Sequence, residues 1–187
     1  MEPVTVRTLT ADTLGDFLDL FDDPVTFSHR PEWAGCYCFY YYFSGPLTEW
    51  EHRSPGANRT AMVQAIQDGL ARGILAYIGG RPVGWCNAAP RRSLPLLGQL
   101  PWLTTPDEGD VGAIVCFIVH PHYRRRGVAA ALLDAACAHL AGLGMRWAEA
   151  YPAIAPQSDA DAYHGTLAMY RNAGFAVVAE GERYAVV

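Results

Sequence analysis

The chain has 187 residues, a formal net charge of −5 at pH 7 and a hydrophobic fraction of 51%. This length and composition suit one compact domain over residues 1–187 with a sizeable buried core, and they exclude a disordered chain. A negative chain without a basic face argues against nucleic-acid binding. No apolar run approaches the roughly 20 residues that cross a bilayer, so we expect no membrane partner.

The cysteines and the first residues bear on the compartment. Five cysteines are scattered along the chain: Cys36, Cys38, Cys86, Cys116 and Cys137. An odd number at irregular spacing predicts reduced thiols rather than a disulfide framework. The first residues also lack the basic segment and apolar core of a secretory leader. Both features predict a cytoplasmic protein.

The first part of the chain combines periodic segments with aromatic and proline-rich stretches. The patterns predict an edge strand over 4–8, a helix over 12–21, and a helix that Asn58 caps and that runs through Leu70. Residues 33–43, called here the aromatic segment, predict either a short strand or an ordered loop. The polar residues 49–56 indicate a loop.

The remainder alternates strand and helix patterns. In chain order these predict strands over 74–78, 82–88 and 111–119, a helix over 126–143, a strand over 146–151, a helix over 163–172, and paired strands over 175–179 and 183–187. A Gly79-Gly80 turn joins the first two strands as a hairpin. Loops are expected over 90–108 and 152–161. This order predicts an α/β fold with a mixed sheet.

The junction after the predicted strand 111–119 has the layout of an anion site. Three consecutive arginines and Gly127 separate the strand from an alanine- and leucine-rich helix. The first N–H groups of a helix lack intrahelical partners and lie at the positive end of its dipole. A diphosphate can accept hydrogen bonds from them, the arginines add positive charge, and glycine lets the backbone approach closely.

Two motifs resemble those of the GNAT-type N-acetyltransferases. Residues 124–129 read RRRGVA and fit the pattern (Gln/Arg)-x-x-Gly-x-(Gly/Ala), and residues 169–175 read MYRNAGF and resemble a late Tyr-x-x-x-Gly-Phe element. The resemblance extends from Ile74 to residue 187. It implies a single GNAT acetyltransferase domain with a mixed, mostly antiparallel twisted sheet flanked by helices.

The resemblance also implies acetyl-CoA as co-substrate and direct attack on it by a primary amine. The strand backbone would pair with the pantetheine arm, and the turn would hold the diphosphate. The implied cofactor-binding residues are Phe117, Ile118, Val119, Arg124, Arg125, Arg126, Gly127, Val128, Ala129 and Ala130. The alternative is that the arginines only solvate a loop.

The resemblance suggests catalytic roles for Tyr170 and Glu149. A phenol near pKa 10 can protonate a departing thiolate, but Tyr170 could equally be a core residue with its hydroxyl bonded elsewhere. Tyr163 stands where many relatives carry asparagine. Glu149 is the candidate general base, unless it forms an ion pair with Arg146 or Arg171 or faces outward. His120 is a second candidate base or a surface residue, and a water chain is a third possibility.

The cysteines allow a different chemistry. Cys116 or Cys38 could act as the nucleophile of a thiol-dependent acyltransferase, if a neighbour activated the thiol. The competing interpretation is that Cys36, Cys38, Cys86 and Cys116 are small buried hydrophobes that share one pocket. We expect no metal, because the Cys-x-Cys spacing is shorter than that of zinc sites.

The acceptor is the least determined part of the prediction. The aromatic segment, with Trp50, Trp85 and Trp102, indicates a site for an apolar or flat amine held by ring faces. The alternative is that these rings pack in the core. Acidic residues that could attract a cationic amine are Glu49, Glu51, Asp107, Glu108 and Asp110. A small-molecule or peptide amine and a homodimer are both compatible with the sequence. So is a non-catalytic acyl-CoA-binding sensor.

Overall fold

A computed structural model describes residues 2–100, 109–158 and 161–187. Its centre is a five-stranded sheet in the order β1-β2-β3-β4-β5. The strands are Thr5–Thr8 (β1), Gly73–Ile78 (β2), Arg81–Pro90 (β3), Val111–Val119 (β4) and Trp147–Ala150 (β5). All neighbours pair antiparallel except β4 and β5, which are parallel. The predicted mixed, mostly antiparallel α/β sheet flanked by helices is therefore confirmed.

The α-helices are Leu14–Phe21 (α1), Leu47–Trp50 (α2), Pro55–Gln67 (α3), Val128–Gly142 (α4) and Leu167–Asn172 (α5). Two short terminal strands, Ala179–Glu180 (β6) and Ala185–Val186 (β7), pair antiparallel in a separate sheet. None of the helices in the described ranges is long and apolar enough to cross a membrane.

Two predicted helix starts are wrong because other residues supply the caps. α3 begins at Pro55, and the Ser54 hydroxyl accepts a hydrogen bond of 3.2 Å from the N–H of Ala57. α5 begins only after Thr166, whose hydroxyl accepts from the N–H of Met169 at 3.1 Å. A side-chain oxygen that satisfies an orphan N–H marks the first turn of a helix better than periodicity does.

The aromatic segment is the ordered-loop alternative and not the short strand, because it forms 3-10 turns over Pro31–Cys36 and Tyr40–Tyr42. The predicted loop over 49–56 begins inside the short helix α2. Tyr37 and Cys38 adopt left-handed backbone conformations, with φ of 47° and 53°. Such conformations are uncommon for residues with a Cβ and leave no signal in hydrophobic periodicity.

Helices cover both faces of the sheet. On one face, Leu132 and Leu140 of α4 pack with Ile114 of β4 in one buried cluster. On the other face, Phe17 of α1 and Met62 of α3 pack in a second cluster, which includes Trp85 and Cys116. Because side chains alternate along a strand, β4 sends residues into both clusters and forms the shared centre of the fold.

Two glycines let α4 lie directly on the sheet. A Cβ at Gly84 would come within 2.7 Å of Val128 Cγ1, and one at Gly112 within 2.6 Å of Leu140 Cδ2. Real Cβ atoms essentially never approach so closely, so both strand positions require glycine in this packing. Gly84 thereby sets the distance between β3 and the first turn of α4.

A buried histidine joins the C-terminal half of the chain to the aromatic segment. His164 is 1% exposed, and its Nε2 lies 3.3 Å from the hydroxyl of Tyr41. The rings of Tyr151, Tyr163 and Tyr184 surround it at centroid distances of 4.0–6.1 Å. Burial lowers the pKa of His164 to about 3, because the dry site penalises the imidazolium. The folded protein therefore holds a neutral ring here.

We expect Gly84→Ala to lower the free energy of unfolding by about 1–3 kcal/mol, because the new methyl group must displace α4 or Val128. Gly15→Ala is the control, since a Cβ there meets nothing within 4 Å. It should change stability by less than about 1 kcal/mol. Urea unfolding measures both variants, and equal effects would contradict the close packing of α4.

We expect His164 to make the fold acid-sensitive. Below about pH 6.5, which is the normal pKa of histidine, the unfolded chain binds a proton at His164 and the folded chain does not. The free energy of unfolding therefore falls as pH falls, by up to about 1.4 kcal/mol per pH unit. This loss continues until the folded pKa of about 3. Between pH 7 and 5, urea unfolding should show a loss about 2 kcal/mol larger in the wild type than in His164→Gln. The same pH dependence in both proteins would contradict a buried neutral ring.

Candidate active site

A cleft opens where β4 and β5 part. The two strands pair in parallel only as far as Ile114 and Ala150. Ala150 then exchanges backbone hydrogen bonds of 3.0 Å with Val187, and the N–H of Phe117 donates to the carbonyl of Tyr163 at 2.6 Å. The carboxyl end of β4 therefore continues without β5 beside it.

The first cavity, called here the β4–α4 cleft, follows the end of β4, the basic turn and the start of α4. Its volume is about 480 Å³. Every predicted cofactor-binding residue lines it except Arg126, whose guanidinium lies over the Tyr123 ring at 5.3 Å. The structure thus brings the predicted set together on one surface, while cofactor binding itself stays a prediction.

The backbone of the basic turn is shaped to receive an anion. Arg125 and Gly127 both have positive φ, 61° and 79°, within three residues. Turns that mix left- and right-handed residues point successive N–H groups into one concavity. Gly127 also occupies the cap position of α4, so no side chain covers the first N–H groups of a 15-residue helix.

Arg124 is held in place across the cleft. Its Nη2 donates to Nε2 of His29 at 2.7 Å, and its Nε donates to the carbonyl of Val119 at 3.3 Å. Because a guanidinium can only donate, Nε2 of His29 is the acceptor in this contact. Sequence reasoning did not point to His29, which lies far away in the chain.

The cleft has an unsatisfied hydroxyl that the sequence did not reveal. Thr26 lines the cleft and is 1% exposed. Its Oγ1 makes no hydrogen bond to any residue within the described parts of the chain. A buried hydroxyl without a partner is costly, so its position in a cavity marks it as a candidate ligand contact.

The second cavity, called here the aromatic cavity, has a volume of about 580 Å³. Of the aromatic residues expected near the acceptor, Trp33, Tyr40, Tyr41 and Trp50 line it. Trp85 does not, because it is fully buried against Phe17 with ring centroids 5.2 Å apart. Trp102 lies outside the described residues.

The predicted acidic residues contribute little to this cavity. Glu51 lines it, whereas Glu49 and Asp110 do not. Asp107 and Glu108 lie outside the described residues. Glu32, which the sequence did not single out, is a second carboxylate in the lining.

The two cavities share part of their walls. Four residues, Phe27, Trp33, Ile118 and Tyr163, line both of them and are called here the junction. A ligand in the β4–α4 cleft and a ligand in the aromatic cavity would therefore contact the same residues. Tyr163 is one of these residues, and its hydroxyl makes hydrogen bonds with Tyr41 and Tyr184. Burial raises the pKa of Tyr163, so the phenol stays protonated at neutral pH.

Tyr170 lies away from the junction. It is fully buried, lines neither cavity, and its hydroxyl donates to the carbonyl of His164 at 2.7 Å. Gly165 separates it from the cleft, since a Cβ there would come within 2.9 Å of the Tyr170 ring. This is the arrangement expected for a core tyrosine with its hydroxyl bonded elsewhere.

Glu149 is buried in an ion pair. It is 6% exposed and lies 3.3 Å from Nη1 of Arg91. The hydroxyl of Tyr151 also donates to it. The arginine is therefore neither Arg146 nor Arg171, and the carboxylate lies outside both cavities described above.

His120 is buried, not on the surface. It is 2% exposed, its Nδ1 accepts from the N–H of His122 at 3.3 Å, and its Nε2 lies 3.4 Å from Asp23 Oδ2. Desolvation lowers the pKa of His120 although the Asp23 carboxylate opposes this effect. The side chain lines neither cavity, so it caps the turn before α4.

All five cysteines are free thiols. Cys36, Cys38 and Cys116 line the aromatic cavity, while Cys86 belongs to the buried cluster under α4. The hydrogen bond that the Cys116 thiol donates to Cys38, together with burial, raises the pKa of Cys116 well above its normal value, and burial raises the pKa of Cys36 to about 12. Both thiols are therefore protonated and weakly nucleophilic. Among the described residues, no group of three or more His, Cys, Asp or Glu could hold a metal ion.

Comparison with solved structures places this fold. A ribosomal-protein-alanine N-acetyltransferase from Brucella melitensis biovar Abortus 2308 is 16% identical, with 96% of each chain covered and a TM-score of 0.53. An aminoglycoside acetyltransferase from an uncultured soil metagenomic sample is 15% identical, covering 96% of this chain and 91% of its own, with a TM-score of 0.55. An N-acetyltransferase from Thermoplasma acidophilum, solved with coenzyme A, is 13% identical, covering 98% and 97%, with a TM-score of 0.55.

At these identities the similarity establishes the fold alone. No curated protein matches the sequence. The profile of the acetyltransferase (GNAT) family matches residues 32–175, which include the basic turn and the late tyrosine motif. The chain therefore belongs to the GNAT family of acetyltransferases.

Proposed function

We propose that this protein is an N-acetyltransferase that binds acetyl-CoA in the β4–α4 cleft and acetylates a primary amine held in the aromatic cavity. The observation that carries the proposal is the junction of the two cavities at residues such as Ile118 and Tyr163. Holding both substrates in one site removes much of the entropic barrier to their reaction. Direct attack by the amine then needs no covalent enzyme intermediate.

The chemistry of the cleft suits the diphosphate and pantetheine of the co-substrate. The uncovered N–H groups at Val128 and beyond, with the positive charges of Arg124 and Arg125, suit a diphosphate. Along β4, the N–H of Phe117 is already bonded to Tyr163, so Val119 is the next residue whose backbone faces the cleft. We propose that Val119 and the hydroxyl of Thr26 contact the pantetheine arm.

Acetyl-CoA would supply an activated thioester, and the protein must provide a proton for the departing thiolate. Tyr163 is a protonated phenol that lines both cavities and makes hydrogen bonds with Tyr41 and Tyr184, whereas Tyr170 lines neither cavity. We therefore propose Tyr163 as the donor. The acid role of Tyr170 stays a prediction from the family motif.

The amine proton needs an acceptor. Glu149 forms an ion pair with Arg91 and lines neither the β4–α4 cleft nor the aromatic cavity. Its side chain would have to leave this ion pair to act directly as the base. We propose that water in the cavities accepts this proton. A single domain over residues 1–187, a cytoplasmic location and a homodimer remain predictions from the sequence.

The protonated thiols disfavour a thiol-dependent mechanism. A nucleophilic Cys116 would need a lowered pKa to form a thiolate. Its hydrogen bond to Cys38 and its burial raise the pKa instead. A non-catalytic acyl-CoA-binding sensor is a different alternative, because it would use the same cleft but would not transfer the acetyl group. Tight CoA binding without acetylation of any amine would support it.

We expect Gly127→Glu to weaken acetyl-CoA binding at least about 100-fold, because the carboxylate repels the diphosphate and the left-handed position strains a Cβ. Gly174→Glu is the matched control, with φ of 89° and open space around its Cβ, but outside the cleft. It should bind like the wild type in calorimetry. A wild type that does not bind, or a Gly127→Glu variant that binds normally, would overturn the proposed function.

We expect Tyr163→Phe to lower kcat at least about tenfold while the KM for acetyl-CoA changes little, because the variant keeps the ring in the lining and loses the hydroxyl that donates the proton. Tyr170→Phe should retain kcat and lose about 1–2 kcal/mol of unfolding free energy with its hydrogen bond to His164. Steady-state kinetics and urea unfolding of both variants measure these effects. The reverse pattern of kcat values would assign the acid to Tyr170.

A further inference from the structure

The walls of the aromatic cavity are rings that hold one another in place. Tyr40 packs edge-to-face on Trp50 with centroids 5.0 Å apart, and Trp33 packs the same way on Tyr163 at 5.4 Å. Tyr41 is buried and lies 5.0 Å from Tyr40. Rings that pack on each other lose little freedom when a ligand arrives, so the cavity is largely preformed for a flat, apolar group.

The charge in this cavity is small. Among the described lining residues the charged side chains are Glu32, Glu51 and Arg53. Glu32 lies 3.3 Å from Arg30, which offsets its charge. Arg53 donates to Asn58 Oδ1 at 2.7 Å and adds a positive charge of its own. A ligand with several ammonium groups would bring more positive charge into the cavity than these two carboxylates can pair, at high cost.

The arrangement of the lining also gives the ligand a direction. Trp33 and Tyr163 line both cavities, whereas Tyr40 and Trp50 line only the aromatic cavity. The nucleophilic nitrogen must reach the junction to meet the thioester. The body of the acceptor then lies against the wall that Tyr40 and Trp50 form, and a short linker joins this body to the nitrogen.

We propose that the acceptor is a primary monoamine carrying an aromatic ring on a short alkyl linker, an inference that rests on the proposed function. The amine nitrogen forms the C–N bond as the C–S bond of the thioester breaks. The electron pair of the C–S bond leaves with the thiolate, which Tyr163 protonates, and the nitrogen gives one proton to water. An aminoglycoside or a polyamine does not fit the small negative charge of the cavity.

The ligand preference is tested with four probes on the full chain. Calorimetry in the presence of CoA compares 2-phenylethylamine, butylamine, spermidine and kanamycin, and a thiol-release assay with acetyl-CoA runs in parallel. We expect 2-phenylethylamine to bind at least about tenfold more tightly than each of the others, because only it can stack on the rings. Tighter binding of spermidine or kanamycin, or no binding of any probe, would overturn the inference.

A variant pair tests the site. Trp50→Ala should weaken 2-phenylethylamine binding at least about tenfold. Trp147→Ala removes a tryptophan that is 59% exposed and outside the cavity, and it should bind normally. Equal affinities would overturn the placement of the ring. If Trp50→Ala does not fold, Tyr40→Leu tests the same wall.

The two hypotheses fail in different ways. If 2-phenylethylamine binds in the cavity and no thiol is released, the ligand class stands and the proposed transferase function fails. If acetyl-CoA binding depends on Gly127 and a polycationic amine is acetylated, the function stands and the aromatic monoamine is wrong.

Discussion

The early separation of β5 from β4 is the constraint on which the site depends. Beyond Ile114 and Ala150 the two strands exchange no further backbone bonds, and each finds another partner. Ala150 pairs with Val187, and Phe117 bonds to the carbonyl of Tyr163. Because Ala150 and Phe117 each have another backbone partner, these buried amides remain satisfied although the strands separate. It leaves Val119 and the helix after it facing an open cleft instead of a neighbouring strand.

The anion site depends on core packing as much as on its own residues. Gly84 allows Val128 to sit against β3, so the first turn of α4 is set by the hydrophobic face of the sheet. Gly127 then turns the chain with a φ of 79°, and no side chain covers the helix end. Burial of the apolar stripe of α4 thus stabilises a helix whose first turn borders the β4–α4 cleft. The residues that stabilise α4 therefore also shape the cleft.

The sequence predicted those parts of the fold whose signals are local. Periodic apolar residues located the sheet strands and α4, and two motifs located the basic turn and Tyr170. Periodicity could not reveal that Tyr37 and Cys38 are left-handed, or that Thr26 and His29 face the basic turn from across the cleft. Those positions follow from tertiary contacts between distant segments. Sequence patterns also cannot predict where the Tyr170 hydroxyl points, because that depends on its hydrogen bond to the carbonyl of His164.

The acceptor side of the molecule is built on a different principle from the cofactor side. Much of its wall comes from residues 31–58, where 3-10 turns and short helices are joined by side-chain bonds. Asn58 illustrates this, because it accepts from Arg53 and donates to the carbonyl of Gly35, and so connects three separate turns. Such a wall can change its lining without disturbing the ladder of β4. The proposed function therefore assigns the selection of the amine to the aromatic cavity.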